Sequence, residues 1–286
     1  MKRIRVAALV CVVVACVSLV LTGCQSGEYK PSMKEQTVSN SALGQAGTLR
    51  IGVNASSAPL AGKAEGGAIV GIDSDAGAFL ADQMGLKAAF VDVGSDPAAG
   101  LSSGSVDIVL GVDASEDETS YWRSSPYLQT GVALYGTAAE SAVPTTDSKP
   151  AIAAQASSKS SWRVTNLFGD SSLVVQDDLK SAFDVMDKGA ARYVAADAVV
   201  GTYVADRNSY SAKILALLQD PSGYCVGVSS SNAELQGAVA SALDKLVNGG
   251  AMNVIERKWL GTTLNLADVT VIKSASDSKE KDKKKS

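Results

Sequence analysis

The chain has 286 residues, 46% of them hydrophobic, with a formal net charge of −4 and no histidine. The missing histidine excludes His-based acid–base catalysis, Ser-His-Asp triads and the usual zinc sites together. The acidic balance and the lack of a polybasic face outside the last residues argue against nucleic acid as a partner. With no EF-hand spacing, Walker loop or Rossmann fingerprint in the sequence, neither a metal nor a cofactor is expected.

Lys2, Arg3 and Arg5 precede an apolar run from Val6 to Leu21, the order of a secretory signal peptide. The run ends in Leu21-Thr22-Gly23-Cys24, which resembles the lipobox of bacterial lipoproteins. That resemblance implies removal of residues 1–23 and a lipidated Cys24, hence an extracytoplasmic protein held to the cell membrane by its acyl chains. The alternative is an uncleaved membrane-spanning anchor, for which the run is just long enough. Cleavage leaves 23 of the 26 basic residues against 30 acidic ones, a formal charge near −7. Cys11 and Cys16 leave with the signal, so Cys225 is the one unmodified thiol and no intrachain disulfide is expected. It lies in the strand-like run Gly223–Val228 and is expected as a buried small hydrophobe.

Residues 24–46 are polar and rich in Ser, Gly and Gln, and are expected as a flexible tether. Leu49–Val53 is an expected strand. Asp73–Met84 has helical apolar spacing, with Asp73 or Ser74 as its cap. Strands follow at Lys87–Val93 and Val106–Leu110, around a short helix at Ala98–Ser102. Val132–Gly136 and Ala151–Gln155 are strands, the latter followed by a Ser-rich turn and a helix. Leu173–Val175, Leu179–Lys188, Ala191–Ala196 and Ala198–Asp206 alternate strand and helix. Tyr224–Val228 is a strand, and Asn232–Val247 and Met252–Trp259 are helices. Such alternation predicts α/β lobes with open sheets, which take ligands at the carboxyl ends of their strands. The charged residues 274–286 read as a disordered tail.

Gly47–Ser56, Ile69–Asp75, Leu101–Val109, Ser124–Gly131, Tyr193–Asp197, Gly223–Val228, and Asn248–Gly250 with Lys258–Gly261 form an ordered set of segments. Together they resemble the family 3 bacterial solute-binding proteins, the amino-acid-binding components of ABC importers. The likeness covers about residues 47–261. It implies the two-lobe periplasmic-binding-protein fold (type 2), with lobe 1 at 47–137 and 222–266, lobe 2 at 138–221, and a tail over 267–286. Tyr135 and Cys225 would lie near two hinge strands, and ligand would stabilise the closed form because only there do both lobes touch it.

The pocket departs from the family's pattern. The arginine that clamps a carboxylate falls here on Asp117 or Glu118. Arg123, just downstream, is expected on the surface. Ser57 and Leu60 replace two aromatic rings, Asn54 replaces an acid, and Gly111 and Asp113 follow on the same wall. The second-lobe anion cradle reads Ser157–Ser160, in which Ser158 offers a hydroxyl and Lys159 a charge. Asp197 matches the family's aspartate for a ligand amino group, or is a helix N-cap. Trp122 and Trp162 are expected in core packing.

The resulting expectation is an extracytoplasmic lipoprotein that captures a small polar solute for an ABC permease, works as a monomer and catalyses nothing. With Asp113, Asp117, Glu118 and Asp197 on the cleft, the ligand would be cationic or amine-bearing. One alternative is a non-transport binding or sensing lipoprotein of the same fold. A remoter one is a carboxylate-based enzyme such as a dehydratase.

Overall fold

The computed structural model describes residues 34–273, apart from 116–119, 138, 140 and 141. Cys24 and the expected signal segment lie outside the described residues.

In the first lobe, β1 (Thr48–Val53) leads through three short strands, β2 (Ser56–Ser57), β3 (Ala61–Lys63) and β4 (Ile69–Val70), into α1 (Ile72–Gln83). Then come β5 (Lys87–Asp92), α2 (Pro97–Ser102), β6 (Ile108–Asp113), β7 (Trp122–Arg123) and β8 (Leu128–Thr130). The second lobe holds β9 (Val132–Thr137), β10 (Ile152–Gln155), α3 (Lys159–Phe168), β11 (Leu173–Gln176), α4 (Leu179–Asp187), β12 (Tyr193–Asp197), α5 (Ala198–Arg207) and β13 (Ala212–Leu217). The chain returns as β14 (Ser222–Val228) and ends its helices with α6 (Ala233–Asn248) and α7 (Ala251–Leu260).

The first sheet runs β5-β1-β6-β14, with β7 and β8 both paired to β14. β1 lies parallel to β5 and β6, whereas β14 is antiparallel to its partners. β1 is buried almost throughout, as a central parallel strand with both faces covered should be. The second sheet runs β11-β10-β12-β9-β13, with β9 antiparallel to β12 and β13. Its two faces carry separate cores, one around Phe183, Met186 and Val194, the other around Leu134, Val164 and Tyr193. Tyr135 and Tyr210 flank Phe183, each with ring centroids 5.4 Å away.

These pairings move the expected lobe boundaries. β9 belongs to the second sheet, so the first crossing lies at 130–132 and the second lobe begins at Val132 instead of residue 138. The return crossing is at 218–222, between β13 and β14. Tyr135 and Cys225 are therefore buried inside their lobes, a few residues from the crossings.

Both expected flexible ends are partly packed. Thr37 N–H donates to Met84 O at 3.1 Å, Val38 and Leu43 join the first-lobe core, and Glu234 accepts from Ser39 N–H at 2.6 Å. Two buried apolar side chains pin this otherwise exposed, polar stretch to the first lobe, so residues 34–46 are no free tether. At the other end, Leu266 is buried against the second lobe. Leu217 N–H donates to Thr270 O and accepts at its own carbonyl from Ile272 N–H, both at 2.8 Å. Residues 267–273 thus extend the fold, and the chain passes between the lobes a third time after α7.

Candidate functional site

α1 is capped by Gly71, not by Asp73 or Ser74. Gly71 has φ 142°, and a Cβ there would sit 2.3 Å from Leu60 O, so only glycine fits the entry. Asp73 falls within the first turn and is almost completely buried, while Ser74 Oγ is buried without a hydrogen-bond partner. Tyr127 Oη donates to Asp73 Oδ1 at 2.5 Å and accepts from Gly111 N–H at 3.0 Å. Burial raises the Asp73 carboxyl to about 7, against the smaller downward pull of the Tyr127 hydroxyl.

Asp73 lines a first-lobe pocket of about 140 Å³ with Asn54, Ser57, Leu60 and Gly111. The fold therefore brings four of the sequence-predicted site residues together and adds a carboxyl that the sequence reading assigned to a cap. Gly111 takes φ 74°, and a Cβ on it would lie 2.8 Å from Asp73 Oδ2. Its bare backbone is what lets the acid reach the pocket wall. Asn54 Oδ1 accepts from Ser56 N–H at 3.1 Å, closing the turn after β1.

At the end of β6, Asp113 Oδ1 accepts from Ser115 N–H at 2.8 Å and from Ser222 Oγ at 3.2 Å. Burial pushes this carboxyl up, but the Ser115 hydrogen bonds, the Lys159 charge and the Ser222 hydroxyl outweigh it and hold it below the usual value. Lys159, the first residue of α3, reaches over from the second lobe. Its Nζ lies 3.1 Å from Ser115 Oγ and 3.7 Å from Asp113 Oδ2. Beside this contact, a hollow of about 830 Å³ is lined by Ser115, Gln129, Lys159, Asp220 and Ser222 among others. Arg123 is not simply a surface residue: its Nη1 donates to the carbonyls of Asp113 and Ala114, at 3.3 and 3.4 Å.

Asp197 is the N-cap of α5, with Oδ1 accepting from Val199 and Val200 N–H at 2.9 and 3.0 Å. Its Oδ2 accepts from Thr130 Oγ1 at 2.6 Å and, weakly, from Tyr224 Oη at 3.5 Å. Burial raises its pKa against these hydrogen bonds. Tyr224 was missed by sequence reasoning, which saw only an apolar strand. Its own pKa is raised by burial first and then by the charges of Asp197, Asp113 and Asp73. Of these, Asp197 is the one within hydrogen-bond reach of the phenol, and the contact crosses from one lobe to the other.

Ser158 closes a capping box on α3, accepting from Ser161 N–H at 3.0 Å, and its hydroxyl donates to Gln155 O at 2.7 Å. Asp117 and Glu118 lie outside the described residues. Trp122 packs partly buried on the first-lobe core, as expected, but Trp162 is 63% exposed, because α3 turns Val164, Leu167 and Phe168 inward instead. Among the described residues no group of three or more His, Cys, Asp or Glu could hold a metal.

Two α/β lobes joined by crossing segments, with polar groups converging between them, define a hinged solute-binding protein. The chain belongs to the bacterial extracellular solute-binding proteins, family 3, whose model matches residues 49–262. Among solved structures it is similar to the L-cystine solute receptor of Neisseria gonorrhoeae in its unliganded open conformation (TM-score 0.67, 21% identity, covering 76% of this chain and 93% of that one). It is also similar to an ancestral arginine-binding protein bound to arginine (0.52, 26%, 75% and 99%). A third is an ancestral amino-acid-binding protein described as a precursor of cyclohexadienyl dehydratase (0.55, 22%, 75% and 95%). No curated protein matches. Among the described residues, no helix is long and apolar enough to cross a membrane.

Proposed function

We propose that this protein is the solute receptor of an ABC importer, anchored outside the cytoplasm by lipid on Cys24. It captures a small solute carrying a protonated amine or guanidinium by closing its two lobes. The observation that carries the ligand class is that both lobes contribute a carboxylate to the cleft: Asp113 at the end of β6, which already holds the Lys159 ammonium, and Asp197, hydrogen-bonded to Thr130 and Tyr224 of the first lobe. Carboxylates so placed are stabilised by a cation and penalise an anion. The arginine held by the structurally similar ancestral arginine-binding protein fits this chemistry. Asn54, Ser57, Leu60 and Gly111 shape the first-lobe wall, and Asp197 anchors the cation from the second lobe. The receptor acts as a monomer, hands its solute to a permease and carries out no reaction of its own.

A thermal-shift screen of amino acids, polyamines and short peptides tests this, followed by calorimetry. A specific ligand at 100 times its Kd should stabilise the protein by about 2.7 kcal/mol. Asp197→Asn keeps a capping side chain on α5 and removes the charge. It should weaken an amine-bearing ligand at least tenfold while leaving the fold intact. Full affinity in Asp197→Asn, or a tighter fit for glutamate than for any amine-rich solute, would refute the ligand class. A screen in which nothing binds would point to a non-transport module of the same fold.

A further inference from the structure

Lys159 stands in an electrostatically awkward place. It is the first residue of α3, where the helix dipole disfavours a cation. Nothing on its own helix compensates, since the first turn carries no acidic residue. Its ammonium is directed instead across the cleft, to Ser115 Oγ at 3.1 Å and Asp113 Oδ2 at 3.7 Å. The receiving side is built independently of it. Asp113 is fixed by Ser115 N–H and Ser222 Oγ, and the strand end is braced by Arg123 on two carbonyls. A preformed acceptor set on one lobe is filled by a flexible cation from the other.

We propose that Lys159 is an internal competitor: its ammonium occupies a subsite, at Asp113 and Ser115, that receives a cationic nitrogen of the ligand in addition to the anchor at Asp197. This rests on the amine-binding reading above and adds how the same site is regulated. The side chain does two things at once. It ties the two lobes together across the cleft, and it must be displaced before a ligand cation can reach Asp113. Displacement is easy because the Lys159 side chain is 53% exposed and the Asp113 side chain 35%. Ion pairs this exposed bias an equilibrium only weakly, by up to about fivefold. The competitor therefore sets a threshold for binding without blocking the site.

Putrescine and L-arginine are suitable probes. Putrescine presents ammonium groups with no carboxylate, and L-arginine presents both charges. Calorimetry on the full chain should show Lys159→Met binding putrescine more tightly than wild type, by up to about fivefold. Asp113→Asn should weaken it relative to Lys159→Met, by up to about fivefold. If Lys159 were an anchor for the ligand's carboxylate, Lys159→Met would weaken L-arginine and leave putrescine unchanged, and the proposal would fall. Small-angle scattering without ligand is the second readout. Lys159→Met should have a larger mean radius of gyration than wild type at low salt, and wild type should approach it at high salt. Should neither probe bind any variant, the amine reading fails, and scattering alone decides on the contact. An unchanged radius then overturns it.

Discussion

Replacing Asp73 by Asn tests the most unusual group in the first lobe. The carboxyl is buried, and its pKa is raised to about 7 from an ordinary value of 3.8. A raised carboxyl pKa means that the folded state prefers the neutral acid. Below the ordinary value both states are protonated and the group costs nothing. As pH rises from about 4 to 7 the unfolded chain ionises and the folded one does not, so stability is lost. Above 7 both ionise and the loss is complete. Three pKa units at about 1.4 kcal/mol each give roughly 4 kcal/mol in full, of which roughly 2.5 kcal/mol falls between pH 5 and pH 8. Asp73→Asn preserves shape and the acceptor for Tyr127 Oη, and it cannot ionise. Urea unfolding of both proteins at pH 5, 6, 7 and 8 should show the variant gaining on wild type as pH rises and levelling off above 7. All other titrating groups cancel in that difference. A difference that stays flat over this range, or shrinks with pH, would refute the burial argument.

Gly111→Ala should cost at least about 2 kcal/mol, since it combines a left-handed backbone with a Cβ placed 2.8 Å from Asp73 Oδ2; urea unfolding checks it, and a neutral substitution would show that the wall yields. Leu266→Ala should cost about 2 to 5 kcal/mol because the side chain is 1% exposed. Trp162→Ala, on an exposed face, should stay within about 0.5 kcal/mol of wild type; a loss comparable to Leu266→Ala would show that Trp162 packs against something.

Much of the architecture was legible in the sequence because the longer elements carry strong periodicity. The strands of the two sheet centres and the helices α1, α2 and α4 to α7 fall within a few residues of their expected limits, and α3 follows its expected Ser-rich turn. Most of what was missed had no period to show. β2, β3, β4, β7 and β8 are two or three residues long, and strands that short exist only through their partners; the six-residue β13 was missed as well. The packed ends were missed for a related reason. Val38 and Leu43 lie among serines, glutamines and glycines, and no composition window reveals that both find the first-lobe core. Of the lining of the first-lobe pocket, Asn54, Ser57, Leu60 and Gly111 were singled out from the sequence. Asp73 could not be told from a cap, because the pattern of a helix start is the same whether its acid faces water or a tyrosine from 54 residues away. Tyr224 was hidden because alternation within a strand says which side a residue faces, not which charges meet it there.

The stretch after α7 bears on mechanics. Two strands between bodies permit both bending and swivelling, like a door hung on a single long pin. Here a third attachment runs from Leu260 in one core to Leu266 and Ile272 in the other. It is tied down by the Leu217–Thr270 and Leu217–Ile272 hydrogen bonds and by the 2.8 Å Lys273–Asp220 ion pair. Three fastenings remove a degree of freedom that two leave open. The lobes keep the motion that opens and shuts the cleft, while sideways twist must stretch the last segment. In the closure proposed above, Lys159, Asp113 and Asp197 would return to the same register, held by a last segment that is fastened to Gln129 and Asp220 on the lining of the hollow.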